Sequence, residues 1–265
     1  ILSLPEPEEG IFGERPDARM RRTAMVKVTY LGHSGFLVEL PESLLLFDYY
    51  IGEIPLLPAE KPLFVFVSHR HGDHFNPEIF KLAGIHGQVT YLLSHDVRLT
   101  PLHMRRWEIG QREAERICSL KARETYEIPG LGTVETLKST DEGVAFLVTA
   151  GGLKIYHAGD LNWWLWKGED KGWLGNMTAN FKREIQRIAG QSIDLAFLPL
   201  DDRQEEWFYK GMDWYLRSCR VRFAFPMHFW EDRSVVRRFE AMECRKDYDT
   251  VICDTADERE WELEI

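Results

Sequence analysis

Residues 69–74 read His-Arg-His-Gly-Asp-His, so three of the nine histidines and an aspartate fall within six positions behind the apolar run LFVFV. Side chains two apart on an extended segment point the same way, so His69 and His71 can converge on one ion. A turn at Gly72 would let Asp73 and His74 serve a second ion. Imidazole and carboxylate donors suit Zn, Fe or Mn. The plainer reading is a solvated, His-rich loop. It is outweighed by other acids and histidines placed where strands should end: Asp48 in LLLFDYY, Asp160 in IYHAGDLNWW and His228 in FPMHFW. Several strand ends that deliver such residues can gather one site at the edge of a sheet.

Further side chains stand near these positions. Trp163 and Trp164, with Trp166, follow Asp160 directly and either line a pocket or pack on the next helix. Arg203, in LPLDDR, either holds an anionic substrate group or makes a surface salt bridge. His157 stands three residues before Asp160 and reads as a support for the site rather than a ligand.

The rest of the chain bounds the function. Its 265 residues suffice for one large domain, and 44% hydrophobic with 29% charged residues is an ordinary globular composition. A formal net charge of −10 argues against general nucleic-acid binding. No apolar stretch is long enough to cross a bilayer and no secretory segment opens the chain, so a cytoplasmic location is expected. The four cysteines, Cys118, Cys219, Cys244 and Cys253, form no CxxC pair and are expected to be free thiols.

The elements that must position the site follow from periodicity. Residues 1–24 show no pattern and are expected to form an irregular extension, with one domain over residues 25–265. VKVTYL, GFLVEL and LLLFDY read as three strands. PLFVFVSH and QVTYLLS read as strands buried on both faces, and residues 96–120 as partly helical with breaks at Pro101 and Gly110. TVETLKS, GVAFLVTA and GLKIYHAG open a second strand group, with a hairpin at Ala-Gly-Gly. Helices over residues 176–190, 205–219 and 233–244 then alternate with the strands IDLAFLPL, VRFAFPMHF and TVICD. Each half thus runs through strands first and strand–helix units later. That order predicts an α/β (α+β) chain with two sheets face to face and helices outside.

The set HxHxDH, HAGD, the late His228 and the opening YLGHSGFLV resembles the metallo-β-lactamase superfamily from about Val26 onward. The opening is similar to the subgroup containing ascorbate-6-phosphate lactonase and several phosphodiesterases. The resemblance implies a four-layer αββα sandwich with one or two divalent ions (Zn, Mn or Fe). It implies His69 and His71 as ligands of the first metal, Asp73, His74 and His228 as ligands of the second, and Asp160 as the bridge. Asp48 would steady the HxHxDH loop by hydrogen bonding. His33, in the GHS loop, would contact substrate or water, or stabilise its own loop; Asp73 and His33 are the catalytic candidates. One departure stands out. The family usually has a further histidine just before the strand read here as GVAFLV, where this chain has KSTDEG. Asp141 stands nearest to that position with Glu142 beside it, and a carboxylate there would favour Mn or Fe over Zn. An empty or weakly held first site is the alternative.

The implied activity is hydrolysis of an ester, lactone or phosphodiester by a metal-activated water. The partner would be a small molecule, anionic if Arg203 contacts it. A nuclease of the same fold, or a non-catalytic metal-binding protein with a degenerate site, are the rival readings.

Overall fold

The computed structural model describes residues 24–265, so the extension expected over residues 1–24 lies, Ala24 apart, outside the described residues. Strands β1 (Met25–Gly32), β2 (Gly35–Glu39), β3 (Leu44–Phe47), β4 (Leu63–Val67), β5 (Val89–Ser94) and β6 (Ile117–Leu120) form one sheet. Strands β7 (Thr125–Ile128), β8 (Gly132–Lys138), β9 (Val144–Ala150), β10 (Leu153–His157), β11 (Ser192–Pro199), β12 (Arg220–Met227) and β13 (Val251–Ile252) form the other. The last strand, β14 (Glu260–Glu264), returns to the first sheet and pairs antiparallel with β1. The two sheets repeat one scheme. Antiparallel neighbours come first, β1 to β3 and β7 to β10, and parallel strands follow, β4 to β6 and β11 to β13.

Alternation along β4 shows how the layers arise. Phe64 and Phe66 face the second sheet, where Phe66 meets Phe146 of β9 at a ring separation of 5.2 Å, with Phe47 of the adjacent β3 stacked on it at 4.6 Å. Leu63, Val65 and Val67 point the other way, onto Ile79 and Phe80 of the outer layer. Both faces are covered, so the strand reads as an unbroken apolar run. The second sheet is covered by helices Lys171–Gln186, Lys210–Ser218 and Ser234–Glu240 through Phe181, Ile185, Tyr215, Val235 and Phe239. The result is the four-layer αββα sandwich.

Local assignments differ in a few places. Residues 117–120, expected inside a helical stretch, form β6, because β5 offers an open edge that pairs with them in parallel. Pro101 and Gly110 do mark breaks, opening the short helices Pro101–Arg106 and Gln111–Ala114. The helix expected from residue 176 begins at Lys171, where the Asp170 carboxylate accepts from the Trp173 backbone N–H at 2.9 Å. Among the described residues no helix is long and apolar enough to cross a membrane. All four cysteines are free thiols.

Because β4, β11 and β12 run parallel to their neighbours, their C-terminal ends open onto one edge, where the β8–β9 loop also arrives. Gly143 ties that loop down. Its φ is +70°, and Val144 N–H donates to the Ser68 carbonyl at 2.9 Å. A Cβ at Gly143 would lie 2.0 Å from that carbonyl oxygen and 2.6 Å from His69 Cβ. Gly143→Ala is therefore expected to destabilise the protein by about 3 kcal/mol or more, from left-handed strain plus a backbone clash. Urea unfolding checks this; a loss below about 1 kcal/mol would show that the loop can yield.

Candidate metal centre

The site starts from Asp48, at the end of β3. It is fully buried and has a positive φ of 38°. Its Oδ1 accepts from the Ser68 backbone N–H at 2.7 Å, and its Oδ2 accepts from Ser68 Oγ at 2.5 Å and pairs with His74 Nδ1 at 2.8 Å. Asp48 thus holds both ends of the loop that follows β4. Burial opposes its ionisation, but His157 and His74 keep its carboxyl below the usual range. With Nδ1 bound to Asp48, His74 presents Nε2 to the site.

Two groups of donors result. His69, His71, Asp141 and Asp160 each offer an atom within 4.8 Å of the others, and His33, Asp73, His74 and His228 do the same. Asp160 stands between them. Its Oδ2 is 3.5 Å from His69 Nε2, while Oδ1 is 3.2 Å from His74 Nε2 and 3.3 Å from His228 Nε2. Despite the opposing effect of burial, His74 and His228 hold the Asp160 carboxyl well below its usual range. Burial pulls His74 down, but Asp160 and Asp48 outweigh it and raise His74 well above its ordinary value. Burial lowers His33 and His69.

Orphaned atoms test whether a cation fits. His33 Nε2, His69 Nε2, His74 Nε2 and Asp160 Oδ1 are buried without a hydrogen-bond partner. Buried polar atoms without partners are rare and need an explanation. Here they converge with ionised aspartates, which is what one or two divalent cations require. The donor sets fit such ions.

Comparison with known proteins agrees. Residues 27–171 match the beta-lactamase superfamily domain. A metal-dependent hydrolase of Opitutus terrae is 31% identical over 222 residues, which span 77% of this chain and 85% of that protein. Another, of Desulforamulus reducens, is 28% identical over 227 residues, 77% of this chain and 84% of that protein. The solved structure of Igni18, a metallo hydrolase of the archaeon Ignicoccus hospitalis, shares the fold, with a TM-score of 0.55 at 17% identity over 91% of this chain and 99% of that one. The chain belongs to the metallo-β-lactamase superfamily, among its metal-dependent hydrolases.

The structure brings Asp141 into the donor group of His69, His71 and Asp160. Its Oδ2 is 3.5 Å from His71 Nδ1. Glu142, the other carboxylate nearby, is occupied differently: Arg70 grips it through Nε and Nη2 at 2.6 Å each, and its Oε2 is 3.5 Å from His71 Nε2. His33 lies deeper than expected, as a donor of the second group rather than on the cavity wall. His157 spends both ring nitrogens, pairing with the Ser34 carbonyl at 2.9 Å and accepting from Gly159 N–H at 3.2 Å, so it supports the Asp160 turn.

A cavity of about 290 Å³ opens over the donors, lined by Asp73, Asp141, Asp160, His71 and His228, with Trp164, Trp166, Trp173, Trp230, Met177 and Arg203. Trp164 lines it and donates Nε1–H to the Asp160 carbonyl at 3.0 Å. Trp163 does not line it, which corrects the pocket reading for this residue. It packs on Phe181 at 5.9 Å and donates Nε1–H to Thr178 Oγ1 at 2.9 Å, because consecutive side chains leave the strand end in different directions. Sequence reasoning missed Asp201 as a support: its Oδ2 pairs with His228 Nδ1 at 3.0 Å. A signal existed, since LPLD ends β11 as LLFD ends β3. Trp173, Met177 and Trp230 carried no such signal.

Two outcomes follow. Trp163→Ala should lower stability by about 2 kcal/mol or more with metal content intact, as for a cavity in packed surroundings. Asp141→Ala should empty the first group before the second, and Asp141→His should shift preference from Mn toward Zn. Elemental analysis and Zn/Mn competition decide; unchanged stoichiometry in Asp141→Ala would remove Asp141 from the ligand set.

Proposed function

We propose that this hydrolase cleaves a small-molecule ester, lactone or phosphodiester at the paired donor groups. The observation that carries the reading is Asp160 turning one carboxylate oxygen to each group at the wall of a cavity sized for a small ligand. His69, His71, Asp141 and Asp160 would hold one ion, and Asp73, His74 and His228 the other, with Asp160 shared and the His33 imidazole beside Asp73. When bound, such ions lower the pKa of water and polarise a substrate oxygen.

The chain's own residues do the rest. Asp73 lines the cavity, and its carboxyl is held below the usual range by His33 and His74 against the effect of burial. As an ionised acceptor it orients the attacking water. Its Oδ2 lies 3.3 Å from His33 Nε2, which can hold or return a proton there. Trp164 and Trp166, stacked at 5.6 Å, wall the cavity, with Trp164 beside His228 and the Asp160 carbonyl, where it reduces contact with water. Complete donor sets speak for an active centre over a decayed one, and the net charge of −10 speaks against a nuclease. Free thiols suit a reducing compartment, and we place the protein in the cytoplasm.

The test is metal analysis of protein purified without chelators, paired with a screen of lactones, esters and phosphodiesters after metal stripping and restoration. His69→Ala, His74→Ala and Asp160→Ala should each lower metal content and reduce kcat/KM by roughly 100-fold or more. Wild-type metal content in all three would sink the assignment.

A further inference from the structure

Arg203 is held more firmly than a surface arginine. Nε donates to both Asp201 oxygens at 2.9 and 3.0 Å and Nη2 donates to Oδ2 at 2.5 Å, while Asp201 is itself buried and bound to His228. That fork uses one edge of the guanidinium. Nη1 has no acceptor among the described residues, and the side chain is half-exposed on the cavity wall. The guanidinium carbon lies 5.7 Å from the Trp166 ring centroid and 5.2 Å from that of Trp230. Among the described residues that line the cavity, Arg203 is the one lysine or arginine.

Each part has a physical consequence. A guanidinium fixed from behind loses little freedom when it meets a ligand, so its free edge binds at low entropic cost. Two indole faces beside it present flat apolar area and reduce hydration, which strengthens a charge-assisted hydrogen bond. The other charged groups of the lining are the carboxylates Asp73, Asp141 and Asp160, which repel anions until cations are bound. Arg203 is therefore the lining residue that accepts an anion directly, one aspartate away from His228.

We propose that the substrate carries, away from the bond to be cleaved, a flat ring bearing an anionic group, carboxylate or phosphate, with the anion on Arg203 and the ring against Trp166 and Trp230. This rests on the hydrolytic reading of the metal centre and adds the substrate class to it. The ring supplies area for the indoles and the anion supplies the partner that Nη1 lacks.

Isothermal titration calorimetry on metal-replete protein reads binding without turnover. The probes are 2-naphthoate and 2-naphthylphosphonate, with neutral 2-naphthamide and non-aromatic cyclohexanecarboxylate as controls; the two anions separate carboxylate from phosphate preference. At least one aromatic anion should bind about tenfold or more tighter than either control. Arg203→Gln should remove the preference over the amide with metal content unchanged, and Arg203→Lys should keep part of it. Equal affinity for the anions and the amide overturns the proposal. So does a preference that survives Arg203→Gln, or one lost only together with metal, which would make Arg203 a positioning residue for His228. A protein that binds these anions through Arg203 but cleaves nothing refutes the hydrolytic reading alone. Turnover of neutral aliphatic esters with no anion preference refutes this inference alone.

Discussion

The centre depends on one buried carboxylate. Asp48 has no exposed surface, yet its charge is matched by the Ser68 N–H, the Ser68 hydroxyl and His74. A buried charge is tolerable only with such a set of partners, and removing one would leave the others stranded. The same bonds do three things at once. They end β4, they turn the chain into the ligand loop, and they select the nitrogen that His74 offers. Asp201 repeats the arrangement in the other sheet for His228. The two halves of the sandwich thus each supply an aspartate that aims a histidine, and Asp160 lies between the two rings.

Aiming these groups together carries strain. His33, Asp48, His228 and Trp230 all have positive φ without being glycine. Such conformations persist only where the surroundings over-determine them, and they cluster at functional sites. His228 N–H donates to the His33 carbonyl at 3.1 Å, which locks two of the strained residues to each other. Gly159 serves the same end: with φ +50°, a Cβ there would lie 2.6 Å from Ser68 Cβ. The strand end bearing Asp160 can approach the strand end bearing His69 only because that atom is missing.

Much of this was legible in the residues. HxHxDH is readable because its ligands are local, and β1 to β5 are readable because short apolar runs are bounded by turn residues. Asp48, Asp160 and His228 are readable as strand-end residues once the strands are assigned. What resisted reading depends on tertiary context. Trp163 and Trp164 are adjacent and chemically alike, and only the path of the chain after Asp160 sends one onto the Lys171–Gln186 helix and the other to the cavity. Trp173 reaches the cavity from the first turn of a helix whose start lies five residues before the apolar pattern suggests. Strand β6 pairs only because β5 has a free edge. Asp141 and Glu142 could not be separated by spacing; Arg70 separates them by occupying Glu142.

The two donor groups are not equivalent, and the difference bears on the chemistry. The second is built from His33, His74 and His228, all buried, with His74 and His228 each fixed through Nδ1 by a buried aspartate. The first includes His71 and Asp141, whose side chains are 43% and 45% exposed and whose neighbouring Arg70–Glu142 pair is at the surface. Surface ion pairs hold geometry weakly, so the first group is the less preorganised one. The Asp141 carboxylate acts in the opposite direction, because its negative charge attracts a cation without demanding a fixed ring orientation. Two aspartates facing two histidines also make a harder donor set than the usual three imidazoles. The first position therefore relies on charge where the second relies on shape. An ion held there would be the more exchangeable one, because His71 and Asp141 are open to solvent on the cavity wall.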